Sequence, residues 1–188
     1  MPRFLLFVTL LQVLLLAGCT TAPVAIVQRS AQADAPFAFN GRVAFKQGEQ
    51  RESAGIRWVH RDAEDEILLL APLGQTVARI HRDAAEVTLD ASGKHYTAQD
   101  IEALMQQALG WRLPLSGLHY WVNAVPAPDR EFELERDADG RMSVLRQQGW
   151  EISYSRYAAV TADALPMRLR LVRDGAEVVL LIDEWEAQ

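Results

Sequence analysis

Apolar and polar residues alternate along most of the chain after residue 36, and this period of two is typical of half-buried β-strands. In one such segment, Ile56, Trp58 and His60 share a face with Ala54. Glycine-containing turn signals such as Asp174-Gly175 separate neighbouring segments, as they do in β-hairpins. The pattern predicts a mainly β fold in which about ten to eleven antiparallel strands form a sheet that curls strongly or nearly closes.

Two segments between residues 97 and 128 change to the helical period. In the first, apolar residues recur three and four positions apart and stop at Gly110, while Thr97 followed by Asp100 is predicted to cap its start. A second helical segment opens at Pro114. The inward apolar residues of the two segments are Ile101, Leu104, Met105, Leu118 and Trp121. Because helices must bury such stripes, these two are predicted to form a lid over the concave face of the sheet, where they can enclose an apolar cavity.

The charged stretch Arg61 to Glu66 is predicted to be a loop, and it leads into two apolar runs that flank Ala71-Pro72-Leu73-Gly74. Pro72 suits the second position of a type I turn, and Gly74 suits the fourth. Turn tips normally carry polar residues because loops run over the surface, yet this tip carries Leu73. A leucine that no neighbour can bury is able to find an apolar partner outside the chain. The alternative is that it folds back onto its own strands.

The N-terminus has the organisation of a secretory signal. Arg3 precedes an apolar run that ends at Leu16, and the small residues Ala17-Gly18 come directly before Cys19. The run is too short for an ordinary membrane span, although an uncleaved anchor helix is the alternative. The stretch after Cys19 is rich in Ala, Gln, Ser and Thr. The predicted division is therefore a signal peptide over residues 1–18, a tether over 19–36 and one folded domain over 37–188.

The composition excludes several classes of partner. The chain has 188 residues, of which 49% are apolar, with a net charge of −6 and a pI near 5.2, and these values suit one globular domain. No basic stripe is present, which argues against nucleic acid as a partner and against simple electrostatic attachment to anionic lipid. Cys19 is the sole cysteine, so the chain forms no internal disulfide.

Residues that could carry catalysis or bind metal lack the spacing that such chemistry needs. His60, His81, His95 and His119 show no HExxH motif and no paired zinc spacing. No serine stands in a G-x-S-x-G elbow, and the chain has no glycine-rich phosphate loop. The sequence therefore predicts a protein that is not an enzyme and that needs neither metal nor cofactor.

Short motifs along the whole chain resemble one known family. Leu16-Ala17-Gly18-Cys19 is similar to a bacterial lipobox. The motifs that follow it in order are Gly41-Arg42-Val43, Trp58, Leu70-Ala71-Pro72-Leu73-Gly74, Tyr96-Thr97-Ala98, Pro114-Leu115 with Leu118 and Trp121, Gly149-Trp150-Glu151-Ile152-Ser153-Tyr154, and Ile182-Asp183-Glu184-Trp185. Together they resemble the LolB family of outer-membrane lipoprotein receptors, among the LolA/LolB-like lipoprotein localisation factors. Ala71 stands where the family commonly has Asn, and Asn123-Ala124-Val125-Pro126 lacks the glycine often found after the tryptophan.

The resemblance implies a half-open antiparallel β-barrel whose helical lid covers an apolar cavity. It implies that Cys19 becomes the lipidated first residue of the mature chain, and that Thr20 directs it to the outer membrane with the domain facing the periplasm. LolB-like proteins accept triacylated lipoproteins from the soluble periplasmic carrier LolA and insert them into outer-membrane phospholipid. The protruding leucine of the family maps onto Leu73, and the loop that enters the membrane would comprise Pro72, Leu73 and Gly74.

Six residues on the strand faces are predicted to shelter the acyl chains of a cargo. They are Phe45, Trp58, Leu69, Ile152, Met167 and Leu169. The alternative for each is an ordinary core position. A barrel with a solid core would belong to a structural or adaptor lipoprotein of the cell envelope, which binds another envelope protein through its surface. A monomer is expected in the receptor case.

Overall fold

The computed structural model describes residues 35–187. The predicted signal peptide, Cys19 and most of the predicted tether lie outside the described residues. The strands are β1 (Phe37–Gln47), β2 (Gln50–Arg61), β3 (Glu64–Leu70), β4 (Thr76–Arg82), β5 (Val87–Ala91), β6 (Lys94–Ala98), β7 (Phe132–Arg136), β8 (Met142–Gln147), β9 (Trp150–Tyr157), β10 (Pro166–Arg173) and β11 (Ala176–Trp185), and the helices between β6 and β7 are α1 (Ile101–Leu109) and α2 (Leu115–Trp121). The predicted mainly β fold is therefore confirmed.

All eleven strands form one antiparallel sheet in the order β6-β5-β4-β3-β2-β1-β11-β10-β9-β8-β7. Each strand pairs with its neighbour in sequence within the two halves, and the pairing of β1 with β11 joins the halves at the centre. Residues of β3 to β5 and of β8 to β10 share one buried cluster. The sheet must therefore curl strongly, and β6 and β7 are its two edges.

The hairpin turns divide the sheet into two ends. The turns β1–β2, β3–β4, β5–β6, β8–β9 and β10–β11 lie at one end, which we call the tip end because it carries Leu73. The turns β2–β3, β4–β5, β7–β8 and β9–β10 lie at the other, which we call the base end. The described chain also begins at the base end, where Ala35 precedes β1.

Both helices contribute apolar residues to the core of the sheet. The inward residues of α1 and α2 belong to the same buried cluster as the inward residues of the strands. α1 begins after Asp100 and ends at Gly110, whose φ of +80° suits glycine at a helix terminus. α2 lies further along the chain and ends before Val122. The helical segments are therefore confirmed, with one difference at the first cap.

The prediction that Thr97 caps α1 is wrong. Thr97 is part of β6, where it pairs with Thr88, so the ladder continues past the expected start of the helix. The Asp100 side chain caps instead, because it accepts hydrogen bonds from the backbone N–H groups of Glu102 and Ala103. A strand and a helix compete for such short polar segments, and the neighbouring strand decides the outcome here.

The prediction that Arg61 to Glu66 form a charged loop is also wrong. The connection between β2 and β3 is a two-residue turn at Asp62 and Ala63, with φ of 51° and 66°. Two left-handed residues are the geometry of the tightest hairpins, whose twist matches that of the flanking strands. The strands therefore extend further than the charge suggests, and Asp65 faces the interior.

Within residues 35–187, neither helix is long and apolar enough to cross a membrane.

Candidate functional site

The turn between β3 and β4 presents Leu73 to solvent. The backbone N–H of Gly74 donates to the carbonyl oxygen of Ala71 over 2.8 Å, and the N–H of Ala71 donates to the carbonyl oxygen of Gln75 over 2.9 Å. Gly74 has a φ of +81°, which glycine adopts at little cost. The Leu73 side chain is 85% exposed. It projects away from its own strands, so the folded-back alternative is wrong.

The six residues predicted to line a cavity lie in one packed interior. Phe45, Trp58, Leu69, Ile152 and Leu169 are buried, and Met167 is partly buried against the same cluster. The predicted inward residues of the helices, Ile101, Leu104, Met105, Leu118 and Trp121, belong to this cluster too. The structure thus brings the predicted strand and helix residues together in one core.

A cleft of about 360 Å³ lies at the tip end between β1, α1 and the segment that joins the helices. Its lining includes Phe45, Gln106, Arg112 and Arg173. The Phe45 ring stacks on Trp111 with 5.5 Å between the ring centroids. Of the predicted lining residues, Phe45 is therefore one at which the packed interior meets a surface opening.

Hydrogen bonds that are buried on the β8–β9 side and partly buried on the β4 side attach α2 to both halves of the sheet. The Trp121 Nε1–H donates to Gln147 Oε1 on β8 over 2.9 Å, and the Tyr154 hydroxyl on β9 donates to the carbonyl oxygen of Trp121 over 2.9 Å. On the opposite side, Arg82 of β4 donates to His119 Nδ1 over 2.9 Å. Breaking such bonds leaves buried polar groups unpaired, which is costly. α2 is therefore a brace across the concave face.

The sequence of α2 fits this brace closely. A Cβ at Gly117 would stand 2.4 Å from the Trp121 ring, so only glycine lets the indole lie against its own helix. Gln147, which accepts the hydrogen bond of the Trp121 indole, also accepts from the backbone N–H of Ala127 over 2.8 Å and donates to the carbonyl oxygen of Ala127 over 2.8 Å. One buried amide thus fixes both the helix and the chain that leaves it.

α1 is attached differently. Its apolar stripe packs on β5 and β6. The hydrogen bonds that join it to its surroundings include Ser116 Oγ to Glu102 Oε1 at 2.8 Å and Gln50 Nε2 to the carbonyl oxygen of Gly110 at 3.3 Å, and both are exposed. Exposed hydrogen bonds compete with water and contribute little net stability. α1 is therefore held mainly by apolar contacts.

Charged residues meet in the interior at the base end, around Asp65, which is only 2% exposed. Its Oδ1 accepts from Trp58 Nε1–H over 2.7 Å and from His60 Nδ1–H over 3.0 Å. Its Oδ2 accepts from Arg82 Nε–H over 2.6 Å and also from the Arg82 Nη2 group. Burial by itself raises the pKa of the Asp65 carboxyl, but the His60 hydrogen bond, the Arg82 charge and the Trp58 hydrogen bond outweigh it and hold that pKa below its ordinary value.

The buried residues around Asp65 at the base end include a set that could hold a metal ion. Ligand atoms of His60, Asp65 and His119 lie within 4.8 Å of one another. However, both Asp65 oxygens already accept hydrogen bonds, and the Arg82 guanidinium bonds to Asp65 and to His119. A cation here would face a permanent positive charge. The donor set therefore suits a structural ion-pair network better than a metal site.

The sequence did not predict that His60, Asp65, Arg82 and His119 meet. The strand positions of Asp65 and Arg82, however, indicated a contact between those two residues. Asp65 is in phase with Ile67, an inward residue of β3, and Arg82 is in phase with Ile80, an inward residue of β4. Inward charges on adjacent paired strands predict a buried ion pair, and Asp65 and Arg82 are register partners. The contact with His119 comes from the packing of α2, which local spacing does not report.

Comparisons with known sequences agree along most of the chain. The family model described as "Outer membrane lipoprotein LolB" matches residues 35–185. An outer-membrane lipoprotein LolB from Chromobacterium violaceum is 39% identical over 92% of this chain and 94% of its own length. One from Nitrosomonas europaea is 39% identical over 93% of this chain and 89% of its own length. One from Pseudomonas aeruginosa strain PAO1 is 38% identical over 85% of this chain and 78% of its own length.

Solved structures resemble the fold at low sequence identity. A crystal structure from Vibrio parahaemolyticus, named as an outer membrane lipoprotein-sorting protein domain, has a TM-score of 0.51 at 9% identity and covers 85% of this chain and 88% of its own. A DUF1329 family protein from Desulfovibrio piger has a TM-score of 0.52 at 8% identity and covers 81% of this chain and 85% of its own. These likenesses concern the fold alone.

Proposed function

The chain belongs to the LolB family of outer membrane lipoproteins, and we propose that it accepts lipoproteins from a soluble LolA-like periplasmic carrier and inserts them into the inner leaflet of the outer membrane. Its outer-membrane location and its role as a receptor in lipoprotein localisation follow from the family. The insertion step is supported above all by Leu73, a leucine that is 85% exposed at the tip of a well-paired hairpin.

The acyl chains of the cargo bind between the concave face of the sheet and the helical lid of a half-open barrel. Because the described interior is packed, room for them opens when part of the lid moves. α1 is the part that moves, since exposed hydrogen bonds and apolar contacts hold it. α2 stays in place, since a buried hydrogen bond attaches it to β8 and a partly buried one attaches it to β4. The cleft beside Phe45 at the tip end is where the opening begins.

Transfer proceeds by a difference in affinity and needs no nucleotide, metal or catalytic residue. Each 1.4 kcal/mol of difference between carrier and receptor shifts the equilibrium about tenfold. Burial of one methylene group contributes about 0.8 kcal/mol. Small differences in how much of an acyl chain is buried therefore suffice to set the direction of transfer. The bilayer, which buries the whole acyl chain, is the final acceptor.

Two parts of the chain bring this domain to the lipid. Residues 1–18 are the signal peptide that is removed. Cys19 carries two or more acyl chains, because a single acyl chain would attach the mature protein only marginally. Residues 19–36 tether the domain of residues 37–188. Leu73, flanked by Pro72 and Gly74, enters the leaflet and holds the mouth of the domain against it.

A transfer assay tests the proposal. A labelled triacylated lipoprotein on its purified carrier is mixed with the chain without its lipid anchor and without nucleotide, and the cargo is followed by pull-down. We expect one-way transfer of the acylated cargo and no transfer of the same lipoprotein without acyl chains. A fluorescent fatty-acyl probe should bind the same preparation.

The adaptor function is the second candidate, because the interior described above is packed. No transfer and no probe binding, by a chain that circular dichroism shows to be folded, would favour a solid barrel that binds an envelope protein through its surface. Probe binding without transfer would point to a lipid-binding domain that serves another carrier, and would contradict the proposed handoff.

A further inference from the structure

The outer face of the β3–β4 hairpin carries exposed apolar residues beyond the tip itself. No charged residue occurs in the stretch Ile67–Ala78. Within it, Val77 on β4 is 49% exposed, and Leu70 on β3 is partly exposed. Gly55 is the register partner of Leu70 on β2, so the neighbouring strand places no side chain over this part of the face. We call Leu70, Leu73 and Val77 the tip patch.

The tip patch ends at a pair of opposite charges. Glu66 and Arg79, on the outer face of the two strands, form an exposed ion pair of 3.0 Å. Arg79 pairs with Leu68, two residues before Leu70, and Glu66 lies two residues further from the tip, so the pair lies roughly 7 to 13 Å below the last residues of the strands. With the turn added, the charge-free part is about as deep as the 5 to 10 Å that interfacial helices bury in a bilayer surface.

We propose that this protein contacts the membrane through the whole tip patch, with the Glu66–Arg79 pair at the headgroup level as the limit of insertion. The inference rests on the proposed function, because it deepens the role of Leu73. The partner is the phospholipid leaflet. The uncharged hairpin tip suits acyl chains, whereas the Glu66–Arg79 pair suits a polar headgroup layer, as do Asp90 and Lys94, which share a surface depression with Val77.

The position of the tether is compatible with this orientation. The described chain begins at the base end with Ala35, so the anchor and the tip start from opposite ends of the sheet. β1 has 11 residues and is about 35 Å long at roughly 3.3 Å per residue. A stretch of 16 residues, from 19 to 34, reaches at most about 55 Å. The lipidated Cys19 and the tip patch can therefore occupy the same leaflet.

Val77→Asp tests the contribution of the patch apart from Leu73, and Val160→Asp is its matched control. Val160 is 75% exposed in the β9–β10 loop at the base end, so both changes add one charge at an exposed valine. In lipidated full-length protein reconstituted in phosphatidylethanolamine–phosphatidylglycerol vesicles, we expect Val77→Asp to accept cargo normally and insert it about tenfold more slowly, equal to about 1.4 kcal/mol. Val160→Asp should insert at the normal rate.

A depth measurement separates this inference from the proposed function. Lipidation occupies the sole natural cysteine, so Val77→Cys, Leu73→Cys or Val160→Cys in the same full-length protein carries a fluorophore at one place only. Vesicles whose acyl chains are brominated should quench the probe at 73 strongly, at 77 clearly and at 160 hardly at all.

Each other outcome decides against the inference. Quenching at 73 but not at 77, or normal insertion by Val77→Asp, would leave a single inserted leucine and overturn the patch. No quenching at either position would overturn the patch and the membrane role of Leu73 together. Slower acceptance by Val77→Asp with a normal insertion step would assign the surface to the carrier protein, and would also overturn the membrane proposal.

Discussion

The two ends of the β3–β4 hairpin reverse the usual arrangement of a protein surface. At the tip end, Leu73 is exposed and no charge is present between Ile67 and Ala78. At the base end, Asp65 and Arg82 are register partners that point inward, and Asp65 is buried. Globular proteins ordinarily bury their leucines and expose their carboxylates. One hairpin therefore exposes what is normally buried and buries what is normally exposed.

The difference assigns separate tasks to the two ends. At the base end, hydrogen bonds of Asp65 and Arg82 join β2, β3 and β4, and the bond from Arg82 to His119 joins these strands to α2. These bonds therefore fix the hairpin to α2. The exposed leucine adds no burial to the folded state, so folding alone gives no reason for it. We infer that the base holds the hairpin rigid while the tip serves a partner outside the chain.

The largest expected effect belongs to the base. Asp65→Asn leaves the Arg82 guanidinium without its charge partner beside buried groups, and breaking a buried pair costs about 3 to 5 kcal/mol. We expect a loss of that size in the free energy of unfolding, measured by urea denaturation. Glu66→Gln is the matched control on the neighbouring residue, because its ion pair with Arg79 is exposed and exposed pairs contribute about 0 to 1 kcal/mol. Equal losses in the two variants would contradict the contrast.

A smaller effect of the same origin is expected in acid. The pKa of Asp65 is lower in the folded chain than its ordinary value, so its ionised form stabilises the fold above the unfolded pKa of about 3.9. That stability is lost as the pH falls through the folded pKa. Urea midpoints of the wild type should therefore fall between about pH 5 and pH 3 more steeply than those of Asp65→Asn.

The comparison with Asp65→Asn is needed because other carboxyl groups contribute to acid sensitivity. Backbone hydrogen bonds from Glu86 and Ala85 lower the pKa of Asp83, and that group is present in both proteins. Parallel pH profiles for the wild type and Asp65→Asn would mean that the base carboxylate adds nothing to the pH dependence.

The smallest effect on stability is expected at the tip. Leu73→Glu replaces an exposed side chain at a turn whose backbone hydrogen bonds do not involve its own side chain, and such surface changes are usually within about 0.5 kcal/mol. Urea denaturation should give an unfolding free energy equal to that of the wild type. A large loss would mean that Leu73 supports the hairpin, and would end the division between tip and base.

Local pattern predicted most of this hairpin and failed at its base. The alternation around Ile67 and Ile80 predicted both strands, and Pro72 with Gly74 predicted the turn that exposes Leu73. A dense run of charges, however, concealed the strand ends at Arg61 and Glu64. Charge indicates solvent on average, but a paired carboxylate can be buried, and its partners are visible only once the strands are in register.

The candidate site shows where sequence reasoning stops. Residues such as Trp58 and Ile152 have the same alternating pattern whether they pack on each other or line a cavity. The sequence could therefore place them in the interior but could not distinguish a packed core from a cavity. The attachment of α2 through His119 and Gln147 depends on contacts distant in sequence. No local period reports such contacts, and the difference between a fixed and a movable helix follows from them.

The most direct test of the central claim is a two-step assay of Leu73→Glu, with Val160→Glu as the exposed apolar control at the base end. The first step measures acceptance of labelled lipoprotein from the carrier, and the second measures its release into phospholipid vesicles. We expect Leu73→Glu to accept cargo like the wild type and to retain it, while Val160→Glu completes both steps. Normal release by Leu73→Glu would contradict the claim that the exposed tip delivers cargo to the membrane.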